Sequence, residues 1–400
     1  MDTYLLDWAN LLLRWAHVIT AIAWVGSSFY FVFLDNSLTP PTAPDLKAKG
    51  VDGELWAVHG GGFYHPQKYL VAPRQLPEHL HWFYWESYST WLTGFGLFTV
   101  LYLFNAGSFL VDKSVHDWSA GAAVAAALGF LVAFWLVYDA ICRLFGQRVR
   151  GDLIVGVLVF AAIVFASWLA CQLFAGRAAF LLVGAMIATA MSANVFFWII
   201  PGQRKVIAQM KAGQPVDPVH GKRGKQRSVH NTYFTLPVLF SMLSNHYGFA
   251  YGHQHNWLVL VLAMLAGALI RHSFVARHRA RAQGVRAPWR AAIAGAVLLA
   301  GVAAWLTPRH SPSSAAMEGA APTYTQVRAV IDQRCVMCHN AQLQNKNVAL
   351  HTPELLARHA QAVFQQSVVQ RTMPLNNATG MTDEERGLIA RWFKDGAPVK

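Results

Sequence analysis

Eight stretches of this chain are apolar for about 20 residues each, the length that crosses the hydrocarbon core of a bilayer as a helix. They run approximately Leu11–Leu34, Trp85–Leu110, Ala120–Leu144, Leu153–Phe174, Ala179–Ile200, Tyr233–Tyr251, Trp257–Val275 and Trp289–Leu306. Trp and Tyr collect at many of their ends, as interfacial residues do. Segments this apolar leave no polar face for a water-soluble helical bundle. The composition agrees: 54% of residues are hydrophobic and 13% charged, with mean hydropathy +0.30. The expected fold is all-α, an eight-span transmembrane helical bundle over residues 1–306. The first stretch is too long and aromatic for a cleavable signal peptide, and it lacks a basic start and a small-residue cleavage site.

The formal net charge of +13 raises the question of nucleic acid, but the basic residues do not form a groove-binding face. They sit in alternate loops. Lys47, Lys49, Lys68 and Arg74 follow the first stretch, and Arg148 and Arg150 the third. Arg204, Lys205, Lys211, Lys222, Arg223, Lys225 and Arg227 follow the fifth; Arg277, Arg279, Arg281 and Arg286 follow the seventh. The other loops hold almost none. Positive loops stay in the cytoplasm, so both termini are expected outside it. The partners expected from this pattern are a lipid bilayer and no nucleic acid.

Residues 307–322 are rich in Pro, Ser, Ala and Gly and read as a flexible linker. Residues 323–400 read as a small soluble domain. It contains Cys335-Val336-Met337-Cys338-His339, and C-x-x-C-H is the attachment motif of a c-type haem. The thiols bond the haem edge and His339 becomes an iron ligand. A zinc site would need a second close Cys/His pair, which does not follow. A redox-active C-x-x-C rarely carries the trailing histidine. Tyr324–Arg334 reads as a helix leading into the motif. Thr382 with Glu385 forms a capping box, opening a last helix that buries Leu388, Ile389, Trp392 and Phe393 at helical spacing. Two such helices resemble the class I mono-haem cytochromes c, in which a Met on the loop before the last helix is the sixth ligand. Met373, followed by Pro374, matches; Met381 is the rival, beside the cap. A Met ligand raises the reduction potential, which suits an electron acceptor. Cys142 and Cys171 lie in apolar stretches and read as ordinary buried thiols.

Ionisable groups inside spans are functional candidates because they are costly there. His17 and Trp24 share a face of the first stretch. His79 and His81 open the second; His230 and His246 lie near opposite ends of the sixth. Interfacial histidines often only snorkel or cap. The alternative is a b-type haem held by a His pair, with His17 and His246 the first candidates. The loop Glu54–Tyr69 is more elaborate than a connector. Gly60, Gly61 and Gly62 let backbone approach a ligand, while Phe63, Gln67 and Arg74 offer stacking, hydrogen bonding and charge to a flat heterocycle. The bland alternative is an amphipathic turn on the membrane surface.

Taken together the motifs resemble one family. They are R-W-x-H-V (Arg14–Val18), G-G-G-F-Y-x-x-Q-K-Y (Gly60–Tyr69), L-H-W-F-x-W-E-x-Y (Leu80–Tyr88), S-A-N-V-x-F-x-I-I-P (Ser192–Pro201) and S-N-H-Y (Ser244–Tyr247), followed by the tethered C-x-x-C-H domain. This combination, covering essentially the whole chain, is similar to the bacterial membrane-bound urate oxidases, or urate hydroxylases, fused to cytochrome c. The resemblance implies an inner-membrane enzyme of purine degradation with a periplasmic haem c. It implies that urate and water give 5-hydroxyisourate and that electrons leave through haem c rather than to oxygen, without hydrogen peroxide. A downstream cytochrome c oxidase or soluble cytochrome would receive them. It transfers the haem motif to Cys335, Cys338, His339 and Met373. For the chemistry, Glu86 and His81 are the candidate bases, with Phe63, Gln67 and Arg74 as candidate urate contacts. Urate bound in the cytoplasm would leave its electrons a membrane away from haem c; urate bound near His17, Asn245 and His246 would not. The competing readings are another membrane dehydrogenase, such as one oxidising quinol, and a membrane-anchored electron carrier.

Overall fold

The computed structural model describes residues 2–70, 72–307, 322–344 and 348–399. The linker expected at 307–322 lies almost wholly outside the described residues. The chain is built mostly of helices. Helix α1 spans Asp2–Ser37 and α2 Pro44–Lys49. Helix α3 spans Trp85–Phe98 and runs on as a π turn, Thr99–Leu103, before the short α4, Ala106–Phe109. Then come α5 (Ala120–Phe145), α6 (Gly151–Leu173), α7 (Gly176–Asn194), a second π turn (Val195–Ile199), α8 (Ile200–Lys211), α9 (Pro218–Ser244), α10 (Gly248–Tyr251), α11 (Asn256–Ala282) and α12 (Arg290–Trp305).

Five helical segments are long and apolar enough to cross a membrane: Tyr4–Ser37, Ala120–Phe145, Gly151–Leu173, Gly176–Lys211 and Asn256–Ala282. The three other expected spans are helical but do not meet both conditions. The second breaks at Asn105, after its π turn. The sixth carries the basic turns of α9 and Pro237. The eighth is a 16-residue helix. The eight expected segments thus recur as helices, while length and apolarity identify five.

Successive helices run up and down. Lys225 pairs with Asp35 at 3.1 Å, and Gln226 donates to the Gly146 carbonyl at 3.1 Å and to Asp152 at 2.7 Å, so these Lys/Arg-bearing loops share one end of the bundle. At the other end Trp118 Nε1 donates to the Leu173 carbonyl at 2.6 Å. Helix α7 is the axis, with Phe180, Leu182, Val183, Met186 and Ile187 fully buried. Its small residues let α9 come close: a Cβ at Gly184 would lie 2.6 Å from the Ser241 Cβ, the close approach that small residues permit between apolar helices. Side chains such as Ile22, Val132 and Phe165 face outward, as lipid-facing positions would.

The loop after α1 departs from an all-α reading. It holds four short strands, β1 (Gly53–Glu54), β2 (Ala57–His59), β3 (Gly62–Tyr64) and β4 (Gln67–Lys68), paired antiparallel as β1–β4 and β2–β3. Gly60 and Gly61 both have positive φ, 59° and 82°, which a two-residue turn between twisted strands requires. Those glycines serve the hairpin turn, where they were expected to let backbone approach a ligand.

In the C-terminal domain, α13 spans Tyr324–Arg334, α14 Pro353–Arg358, α15 Ala360–Phe364 and α16 Asp383–Lys394. The Thr382/Glu385 capping box is present at the start of α16. Ile331, Leu356, Ile389 and Trp392 are fully buried in one apolar core. Arg334 Nη2 donates to Glu385 Oε1 at 2.9 Å and ties the first helix to the last. Phe364 stacks on Phe393 with centroids 4.5 Å apart.

Candidate functional site

The C-terminal donor set is built locally. Helix α13 ends at Cys335, and the next turn brings His339 N to the Cys335 carbonyl at 3.1 Å. Cys335 is half-buried and Cys338 exposed. Burial pushes the Cys335 thiol up to about 12. His339 Nδ1 lies 2.9 Å from the Val348 carbonyl. An Nδ1–H donated there leaves Nε2 as the free donor atom, the arrangement that orients a metal-ligating imidazole. Met373 is half-buried on the loop before α16, and Met381 is 3% exposed within the apolar core. Arg386, missed from sequence, holds the Met373 loop: Nη1 donates to the Met373 carbonyl at 2.9 Å and to Ser367, and Nη2 to Asn377 Oδ1 at 3.3 Å. The donor set fits the haem that its motif implies.

The same loop touches the bundle. A Cβ at Gly248 would meet Thr372 Cγ2 at 2.5 Å, and α4 contacts Leu375–Asn377. The residue before Met373 therefore sits on the end of the bundle opposite the basic loops.

Inside the bundle, polar groups gather at two places. Toward the basic end, Arg227 is 3% exposed and donates to Asp139 Oδ1 at 2.7 Å and Asn194 Oδ1 at 3.2 Å. Its guanidinium lies 5.0 Å from the centroids of both Tyr138 and Trp198. Trp198 Nε1 and Arg143 Nε also donate to Asp139, at 2.7 and 2.6 Å. Asn194 Nδ2 donates to the Tyr138 hydroxyl and to Asn231 Oδ1, and Asn231 Nδ2 to the Met191 carbonyl. The Tyr138 hydroxyl in turn meets His230 Nδ1 at 2.8 Å. The π turn after Asn194 places Trp198 in this network. Beside it opens a cavity of about 690 Å³ with Phe160, Lys222, Gln226, His230 and Phe234 among its walls.

At the opposite end the pattern is reversed. Tyr102, Phe109, Arg177, Asn245 and Tyr251 adjoin one another: Tyr102 meets Phe109 edge-on at 5.6 Å, and the Arg177 guanidinium lies 5.8 Å from the Phe109 centroid. Arg177 and Asn245 both face Tyr102, which is 2% exposed. Yet the Tyr102 hydroxyl, Arg177 Nε and Asn245 Oδ1 are buried with no hydrogen bond of good geometry. Buried polar atoms without partners are uncommon and call for a cause.

The residues singled out from sequence are scattered. His17 is half-buried in α1, its Nδ1 3.1 Å from the Thr90 carbonyl, and a Cβ at Gly94 would meet its ring at 2.7 Å. The cavity beside it is about 80 Å³, against the roughly 300 Å³ or more of a typical ligand pocket. His246 is exposed beyond α9 and does not line that cavity. This pair as placed does not fit a b-type haem. His81 is exposed against Phe83, and Glu86 is half-buried in the first turn of α3. Phe63 is 78% exposed beside the hairpin turn, Gln67 meets His65 at 3.4 Å, and Arg74 is exposed beside Gly50. None of Phe63, Gln67 and Arg74 lines the cavities described.

Residues 3–307 match the family model described as urate oxidase N-terminal. The chain belongs to that family. It is therefore a urate oxidase-related oxidoreductase, and its apolar helices suit a membrane. No curated protein and no solved structure matches the chain. The match ends at 307, before the Cys335–His339 motif.

Proposed function

We propose that this chain oxidises urate with water to 5-hydroxyisourate and delivers the electrons to a haem c held by Cys335, Cys338, His339 and Met373. The balance is urate plus water giving 5-hydroxyisourate, two protons and two electrons. When bound, the haem would supply a one-electron acceptor on the same chain, taking the two electrons in turn as an external cytochrome or oxidase drains it between them, so oxygen need not accept electrons from urate and no hydrogen peroxide forms. The observation that carries the reading is the contact of the Met373 loop with Gly248 and α4, on the bundle end where Tyr102, Arg177 and Asn245 hold buried polar atoms without a hydrogen bond of good geometry. Oxidation there spares the electrons a crossing of the roughly 30 Å hydrocarbon core.

In this reading Arg177 Nε donates to the anionic edge of urate, a charge-assisted bond. Asn245 Oδ1 accepts from a ring N–H. The Tyr102 hydroxyl orients the attacking water, and His246, exposed next to Asn245, takes its proton. Phe109 offers a ring face to the flat purine. The Arg386 contacts hold the Met373 loop in place for ligation. The loop charges support both termini lying outside the cytoplasm, the family resemblance suggests the inner bacterial membrane, and a soluble cytochrome or cytochrome c oxidase would drain the haem.

The test is anaerobic. Urate is added to membranes containing the full chain and the haem absorption is recorded. Reduced c-type bands, absent in His339→Ala, together with 5-hydroxyisourate or its decay products, are expected. Reduction by quinol and not by urate would overturn the reading and move the chain to another class of dehydrogenase.

A further inference from the structure

A groove between α1 and α11 encloses about 1250 Å³. Phe29, Phe33, Leu236 and Phe274 make its walls apolar. Arg271 is set into it, 6% exposed, its guanidinium 3.7 Å from the Phe29 centroid. Its Nε and Nη2, the paired edge of the fork, are buried without a hydrogen-bond partner. Arg277, His278 and Arg281 line the same groove, and no Asp or Glu does among the described residues. A buried cation without a partner is strongly unfavourable, and the contrast with Arg227, paired to Asp139, is direct.

We propose that the groove holds an acidic phospholipid, its phosphate oxygens accepting from the Nε–Nη2 edge of Arg271 and its acyl chains lying along Phe33, Leu236 and Phe274. The fork geometry of arginine matches two oxygens of a phosphate. The apolar walls favour an anion carried on hydrocarbon over a free hydrated one. The groove also sits at the Lys/Arg-rich end of the bundle, where basic pockets between helices recognise acidic headgroups. This proposal does not depend on the identity of the oxidised substrate.

The experiment uses the full chain in nanodiscs of phosphatidylcholine, with and without phosphatidylglycerol, followed by mild delipidation, native mass spectrometry and thermal unfolding. The wild type should retain phosphatidylglycerol and unfold at a higher midpoint with it, because ligand binding to the folded state stabilises. Arg271→Leu should retain at least tenfold less and lose the midpoint shift. Its midpoint in phosphatidylcholine should not fall, since the loss of an unfavourable buried charge offsets the lost contact with Phe29. Val285→Trp, which narrows the groove at its exposed rim, should also lose the lipid with Arg271 intact. Equal retention by wild type and both variants would overturn the proposal. So would a midpoint shift of the same size from inorganic phosphate or urate alone, which would assign the groove to a small free anion.

Discussion

The two ends of the bundle hold similar polar groups in opposite states. At the basic end Arg227, Asp139, Asn194, Tyr138, Asn231 and His230 are joined in a continuous hydrogen-bonded network. At the other end Tyr102 and Asn245 face each other, and the Tyr102 hydroxyl, Arg177 Nε and Asn245 Oδ1 are buried without a hydrogen bond of good geometry. A satisfied network rigidifies a fold; an unsatisfied one costs stability unless a ligand completes it. The first arrangement accounts for how the helices are held, the second for where a polar substrate is received. The second also lies where the Met373 loop is seated.

That contrast breaks most readily at Arg227. Arg227→Leu removes the buried cation from Asp139, which keeps Arg143 and Trp198, and leaves Asn194 Oδ1 without its donor; it should cost about 2–3 kcal/mol of stability, measured as unfolding of the bundle in detergent while the C-terminal domain keeps its spectrum. Unchanged stability with a raised KM for urate would make the basic end the substrate site. Arg177→Gln should do the converse. KM for urate should rise roughly 10- to 100-fold, about 1.4–2.7 kcal/mol, with the unfolding midpoint nearly unchanged; a loss of stability without a KM effect would make the outer cluster structural.

Smaller effects sharpen the comparison. Burial alone would raise the Glu385 carboxyl, but its hydrogen bonds to Arg334 and its place at the helix cap hold it below its ordinary value of 4.5. Its contribution is therefore present above pH 4.5 and lost as pH falls through the lower folded value. Glu385→Gln should cost the C-terminal domain about 1 kcal/mol at pH 7 and flatten its acid unfolding below pH 4.5, where the depressed carboxylate is protonated. Phe63→Ala should change least, with KM for urate within about twofold, because an exposed side chain leaves little burial to lose. A large effect would return the strand hairpin to the substrate site.

Much of this was legible in the residues. The Tyr324–Arg334 helix, the Thr382 cap and the apolar spacing of α16 are local patterns, and the structure contains each of them. The Cys335–His339 motif lies within five consecutive residues, so one turn of chain brings its donors near one another. The buried polar clusters were not legible, for the converse reason. Arg227 and Asp139 are 88 residues apart, and Tyr102, Arg177 and Asn245 come from three different segments. Asp139 and Arg271, ionisable side chains within apolar stretches, were the available signals; they mark that something is paired there without naming the partner.

The sequence by itself determined the apolar helices, the alternation of basic loops and the local donor set, because each depends on neighbours within a few turns of chain. Only the tertiary structure decided which buried polar groups are satisfied and which are left open. Hydrogen-bond satisfaction depends on partners brought from distant segments, and it is the packing of α3, α5, α7, α9 and α11 that supplies or withholds them.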